Sequence, residues 1–193
     1  MSAENEPRFA GWQQMVDDSR AILQRRTGAD VAAWADRVRA AGAGTPEEAR
    51  TWLAEQDVRG RGQDAVIWEM FGPPEFFELS GQELVDDQYA DRPGLRPIAE
   101  VVFEIATGLG AQLQARKTYV SLRTGRRQFA QVVPAAKSAL HLLLRLDVPA
   151  DDRVEVLTPN KDQPLDRRVR LRDVTEVDDR VRDLLEAAWQ QSW

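Results

Sequence analysis

The stretch KTYVSLRTGRRQFAQVV, residues 117–133, is where the chain changes its period. Before it, apolar side chains recur every three or four positions, the spacing of a helix face; within it they alternate, the spacing of a strand. Lys117, Tyr119, Ser121 and Arg123 fall on one side, and Thr118, Val120 and Leu122 on the other. Thr124-Gly125 makes a tight turn, and residues 127–133 return as a second strand. Residues 140–146, LHLLLRL, alternate again as a third strand, with His141, Leu143 and Arg145 opposite Leu142, Leu144 and Leu146. Residues 153–157 and 167–172 are expected to add short strands. A final helix carries Val177, Val181, Leu184, Leu185, Ala188 and Trp189 on one face, capped by Thr175 with Asp178 or by Asp173 with Glu176.

Upstream the signals are helical. Residues 9–27 place Phe9, Trp12, Met15, Val16, Ser19, Ile22 and Leu23 on one face, with Gly28 as the C-cap. Asp30 caps a second helix facing inward with Val31, Trp34, Ala35 and Val38. Thr45, Pro46 and Glu48 form a complete helix start for a third, which buries Trp52 and Leu53. Residues 64–71 make a fourth. Gly72-Pro73-Pro74 cannot continue it, and residues 73–80 read as a linker whose Phe76, Phe77 and Leu79 dock on one of the domains. Ser80 with Glu83 is a second capping box, and Pro97 stands near the start of a longer helix bearing Ile98, Val101, Val102, Ile105 and Leu109.

The expected fold class is therefore α+β. An all-helical module, residues 1–72, precedes the linker at 73–80 and a domain at 81–193 with an antiparallel sheet packed against helices.

Charge is uneven along the 193 residues. The formal net charge is −6, yet residues 105–146 carry Arg116, Lys117, Arg123, Arg126, Arg127, Lys137 and Arg145 and no acid. Global acidity argues against indiscriminate coating of nucleic acid, but a local basic surface can still take an anion. Strand parity gathers Lys117, Tyr119, Arg123, Arg127, His141 and Arg145 as the candidate ligand-binding set, with Phe129 beside Tyr119 as a second ring. Arginine forks suit phosphate or carboxylate, and rings stack on planar groups. The opposing reading is a solvated sheet face whose basic groups pair with acids from residues 147–193.

Several chemistries are disfavoured. There is no cysteine, so thiolate metal sites and cysteine nucleophiles are excluded. His141 is the single histidine and stands in no metal-ligand spacing; a structural role and a role as acid, base or donor both remain open. Adjacent acid pairs such as Asp86-Asp87 point apart rather than converging on a cation. No phosphate-loop or serine-elbow motif occurs, and no cofactor or metal is expected. No window is apolar enough for a membrane span, the acidic opening MSAENEPRF is unlike a secretory signal, and a cytoplasmic location is expected.

Two resemblances cover most of the chain. Trp12, Met15 and Ser19, RRTGAD at 25–30, Trp34 and the Pro46–Leu53 helix resemble the uncharacterised family of unknown function 4287, although Ala29 and Asp57-Val58-Arg59-Gly60 depart from its pattern. LRPIAEVVFEI at 95–105, KTYVSLRTGRRQFAQVVP at 117–134, LHLLLRL and RVRLRDVTEVDDRV at 168–181 resemble the uncharacterised family of unknown function 5655. That second resemblance implies an architecture similar to small α+β domains of the YdhG and YjbR type, and neither implies an activity. Three functions stay in view: a binding module for an anionic ligand, nucleic acid included; a protein-interaction or scaffold protein; and an enzyme using Lys117, Tyr119, Arg123 and His141 on a small anionic substrate.

Overall fold

A computed structural model describes residues 8–158 and 164–193. The chain forms two compact units, residues 12–78 and residues 79–193, and residues 8–11 belong to the latter.

The helical unit comprises α1 (Gln13–Thr27), α2 (Val31–Ala40), α3 (Pro46–Glu55) and α4 (Arg61–Phe71). Local sequence sets each boundary. Gly28 closes α1 in the left-handed conformation, which costs an ordinary residue energy and glycine little. The Asp30 side chain accepts from the Ala33 backbone N–H, and Thr45 with Glu48 completes a capping box. Leu23, Trp34, Ala35, Val38, Leu53, Val66 and Ile67 make its core. The Trp34 indole donates to the Thr27 hydroxyl at 2.9 Å, so this large ring is buried with its polar edge satisfied. Phe77 stacks on Trp12 at 4.6 Å and meets Trp68 edge-on at 5.0 Å, so the segment after Gly72 packs within this unit.

Helix α1 starts at Gln13, later than the apolar spacing predicts. Residues 8–11 instead run as an extended strap in the other unit. Ala10 bridges Gln114 in parallel, its N–H donating to the Leu113 carbonyl and its own carbonyl accepting from Ala115, both at 2.9 Å. Phe9 is buried against Phe103, ring centroids 5.3 Å apart. The spacing of Phe9 and Trp12 fits one helix face, but the chain sends them into different cores.

The second unit contains α5 (Gly81–Tyr89), α6 (Arg96–Gly108), the strands β1 (Gln112–Ala115), β2 (Val120–Arg123), β3 (Gln128–Ala136), β4 (Ala139–Leu144), β5 (Val154–Val156) and β6 (Arg167–Leu171), and α7 (Asp179–Gln190). The six strands form one sheet in the order β1-β2-β3-β4-β6-β5, every neighbouring pair antiparallel. The expected antiparallel sheet packed against helices is present, with β1 as a strand the alternation pattern did not reveal.

Register divides the sheet into two faces. Ala115, Val120, Val132, Leu142, Val169 and Val154 lie side by side across all six strands, and all are buried. Leu113, Leu122, Ala130 and Leu144 form the next row of this inner face. Buried Ile98, Val102 and Phe103 of α6, and Val181, Leu184 and Leu185 of α7, complete the apolar layer. Arg167 has inner parity at the end of β6, where its Nε donates to the Val148 carbonyl at 2.6 Å and its head pairs with Asp166 at 2.8 Å. A guanidinium is tolerated there because its charge and donors are answered.

Phe129 departs from the expected parity. Leu122 pairs with Ala130, but Arg123 pairs with Gln128, so β3 carries one extra residue at this point. That residue is Phe129. The bulge turns its ring inward and it is fully buried, so it does not join an exposed aromatic pair.

Candidate functional site

The outer face of the sheet carries the basic groups, and the ladder places them in three rows. The first contains Gln112, Arg123 and Gln128, with Arg145 just beyond the end of β4. Arg145 joins this row because its backbone N–H donates to the Phe129 carbonyl at 2.8 Å and its Nε to the Gln128 carbonyl at 3.3 Å. The second row runs Gln114, Ser121, Gln131, Leu143, Arg168 and Glu155. The third contains Val133, His141 and Arg170.

Of the six candidate residues, Arg123, His141 and Arg145 lie on this face. Lys117 and Tyr119 precede β2, in the loop from β1, because the extended pairing begins only at Val120. Gln88 of α5 braces that loop from within, its amide donating to the carbonyls of Arg116 at 2.7 Å and Tyr119 at 3.2 Å. Arg127 lies in the turn before β3 and donates to the Gln191 carbonyl at 2.7 Å, beyond the end of α7. Cationic donors are favoured at a helix C-terminus, which gives Arg127 a structural task. The set therefore divides: three residues on the sheet face, two in a braced loop and one engaged with the C-terminal segment.

Sequence reading missed Arg168, Arg170 and Glu155. The signal of the two arginines was present in RVRLR, residues 168–172, which alternates arginine with apolar residues. Its importance depends on β6 lying beside β4, a pairing that skips β5 in chain order. The pairing sets Arg170 opposite His141 and Arg168 opposite Leu143.

The electrostatics follow from these neighbours. Glu155 accepts from Arg168 at 2.6 and 3.0 Å and from Arg170 at 3.4 Å. Hydrogen bonding to Arg168, with the positive charges of both arginines, holds its carboxyl below the usual carboxylate range. His141 is half-buried; burial first, then the charges of Arg168 and Arg170, press its pKa below the ordinary imidazole value, against a small opposing pull from Glu155. At neutral pH it is thus an uncharged donor and acceptor rather than a cation. Among the described residues, Arg123 has no ion-pair partner and Arg145 no carboxylate partner.

Exposure is graded across the face. Ser121, Gln131 and Leu143, in the middle of the second row, are only 4%, 8% and 9% exposed. A ligand can therefore reach the first row and the β6 end more readily than the centre. Of the four residues of the enzymatic hypothesis, Arg123 and His141 lie on strands of the outer face, and Lys117 and Tyr119 lie in the loop before β2. Among the described residues, no three His, Asp or Glu side chains converge as a metal cage, and no helix is long and apolar enough to cross a membrane.

The model of a domain of unknown function, DUF5655, matches residues 85–192, which takes in the second half of α5, α6, the whole sheet and all of α7. The matched span leaves α1 to α4 outside it. No curated protein and no solved structure was found to match the chain.

Proposed function

The chain belongs to the DUF5655 family, a domain of unknown function that brings no activity with it, and from its residues we propose a binding module that takes an anionic ligand on the outer face of the sheet. The observation that carries this reading is the imbalance of charge on that face. Arg123, Arg145, Arg168 and Arg170 stand on or beside the outer rows, answered among the described residues by Glu155 alone. A guanidinium offers paired N–H donors that match the oxygens of phosphate or carboxylate. Neutral His141 adds a donor without adding repulsion.

Nucleic acid is one ligand within this class. Phe129 is withdrawn into the core, so base stacking would rest on Tyr119, and backbone phosphate contacts would supply most of the affinity. The element order is consistent with the YdhG and YjbR likeness, and the likeness of α1 to α3 to family 4287 is part of the same proposal. The protein-interaction alternative has less support: Phe76 and Phe77 engage Trp12 and Trp68 within their own unit, while Trp193 is 52% exposed.

Fluorescence anisotropy with labelled single- and double-stranded oligonucleotides tests the nucleic-acid form, since a phosphate-driven complex weakens as salt rises. Calorimetry with phosphate and carboxylate compounds tests the small-ligand form. Replacing both Arg123 and Arg145 with Ala should weaken binding by about 1–3 kcal/mol per lost charged contact while leaving the melting transition cooperative. Unchanged affinity in the double variant would remove the first row from the site.

A further inference from the structure

Strand β6 and the residue after it present Arg168, Arg170 and Arg172 at alternate positions, along an open groove of about 660 Å³. The other charged groups of that groove are mostly committed elsewhere. Asp151 accepts from the backbone N–H groups of Arg153 and Val154 and pairs with Arg180 at 2.7 Å. Glu176 accepts from the Arg172 backbone N–H at 2.6 Å. Arg153 is held by Asp178 and by the Glu176 carbonyl.

Glu155 is different. It belongs to an edge strand of three residues, its side chain is 48% exposed, and it is the only acid bonded to Arg168 and Arg170 among the described residues. Its two oxygens span both guanidiniums, the pose an incoming oxyanion would adopt.

We propose that Arg168 and Arg170 form a phosphate subsite of the outer face, filled in the free protein by the Glu155 carboxylate and opened when a phosphomonoester displaces it. This rests on the reading of that face as an anion-binding surface. The exchange is favourable on charge: a phosphomonoester carries roughly −1.5 to −2 at neutral pH and three acceptor oxygens, against one charge and two oxygens for Glu155. The displaced carboxylate is already half in water, so its release costs little desolvation. Arg172, whose guanidinium has no partner among the described residues, is one further donor on the same strand face. The groove is larger than a phosphate and leaves room for the group the phosphate is attached to.

The single histidine makes a clean reporter, because His141 is paired with Arg170 in the ladder and gives one imidazole signal in the full chain. Inorganic phosphate and phenyl phosphate are titrated into the wild-type protein and Glu155→Gln, followed by NMR at His141 and by calorimetry. Binding should raise the His141 pKa, since negative charge arrives beside it. Glu155→Gln should bind both compounds about fivefold more tightly, the scale of one exposed ion pair that no longer competes. Arg168→Ala should abolish the gain. A preference for phenyl phosphate over inorganic phosphate identifies an esterified ligand; equal affinity identifies the free ion.

Should Glu155→Gln melt early, Glu155→Asp replaces it, keeping the charge but drawing the carboxylate back, with a smaller gain expected. Affinity that is equal or weaker in the Glu155 variant, or a His141 signal indifferent to saturating phosphate, overturns the subsite and leaves a structural ion pair. The Arg123/Arg145 double variant separates the two readings. If it alone loses affinity, the face binds anions and the fork does not; if only the Glu155 and Arg168 variants respond, the fork binds and the first row does not.

Discussion

A β-carbon on residue 81 would sit 2.1 Å from the carbonyl oxygen of Phe9 and 2.6 Å from its carbonyl carbon. Gly81 opens α5, and its missing side chain is what lets the strap at residues 8–11 lie where it does. Two segments far apart in sequence thus meet backbone to backbone.

Gly81→Ala should therefore destabilise the sheet unit. In an unobstructed helix the same change would stabilise by up to about 1 kcal/mol, so the sign alone is diagnostic. Overpacking against rigid backbone should cost about 1–3 kcal/mol, read from urea or thermal melts. A more stable variant would mean that the strap does not occupy this place.

Phe9→Ala should cost about 3–5 kcal/mol, the range for deleting a buried ring. It removes the contact with Phe103 and loosens the strap together with the Arg8–Glu100 ion pair, 2.6 Å long. Hydrogen exchange gives a local reading: the Ala115 amide, which donates to the Ala10 carbonyl, should exchange faster in the variant.

Stability should fall as the pH drops below about 6.5, in part through His141. Its folded pKa is lowered by burial and by Arg168 and Arg170, with Glu155 opposing, so the unfolded chain takes up the proton first. The contribution present at neutral pH is then lost on acidification until the folded pKa is also passed. His141 is partly exposed, which keeps the effect to a fraction of a kcal/mol. Denaturation curves between pH 7.5 and pH 5.5, set beside those of His141→Gln, should show a shallower pH slope in the variant.

Thr45→Ala and Ser80→Ala should each cost about 0.5–2 kcal/mol, because each hydroxyl accepts from the N–H three residues on, and its partner Glu48 or Glu83 returns the bond. The caps belong to different units. If melting shows two transitions, each substitution should move only its own.

What was legible in the sequence was what local spacing decides. Both capping boxes, the Asp30 cap, the Gly28 stop and the inward face of LHLLLRL follow from residues within a turn or a strand of one another. Strand β1 was not legible, since Gln112-Leu113-Gln114-Ala115 offers one large apolar side chain and no turn residue within it. Phe9 and Phe129 were placed wrongly for opposite reasons. Phe9 fits a helical spacing that the chain does not continue, and Phe129 fits a strand spacing that one extra residue breaks. The site followed the same rule. Arg123, His141 and Arg145 were placed by parity within their own strands, whereas the company of His141 depends on β6 crossing past β5 to reach β4.

The strap also bears on the order in which the chain can fold as it is synthesised. Phe9 and Ala10 emerge early, yet Phe103 and Gln114 are made only after all four helices of residues 12–78. Those helices pack around α4, which is itself complete at Phe71, so the unit can close while the ribosome is still working. The opening segment must wait through that interval with its aromatic ring unburied. A nascent chain halted before Gln114 should thus hold a folded helical bundle and an N-terminal end open to proteases, and the end should become protected only after β1 has left the exit tunnel.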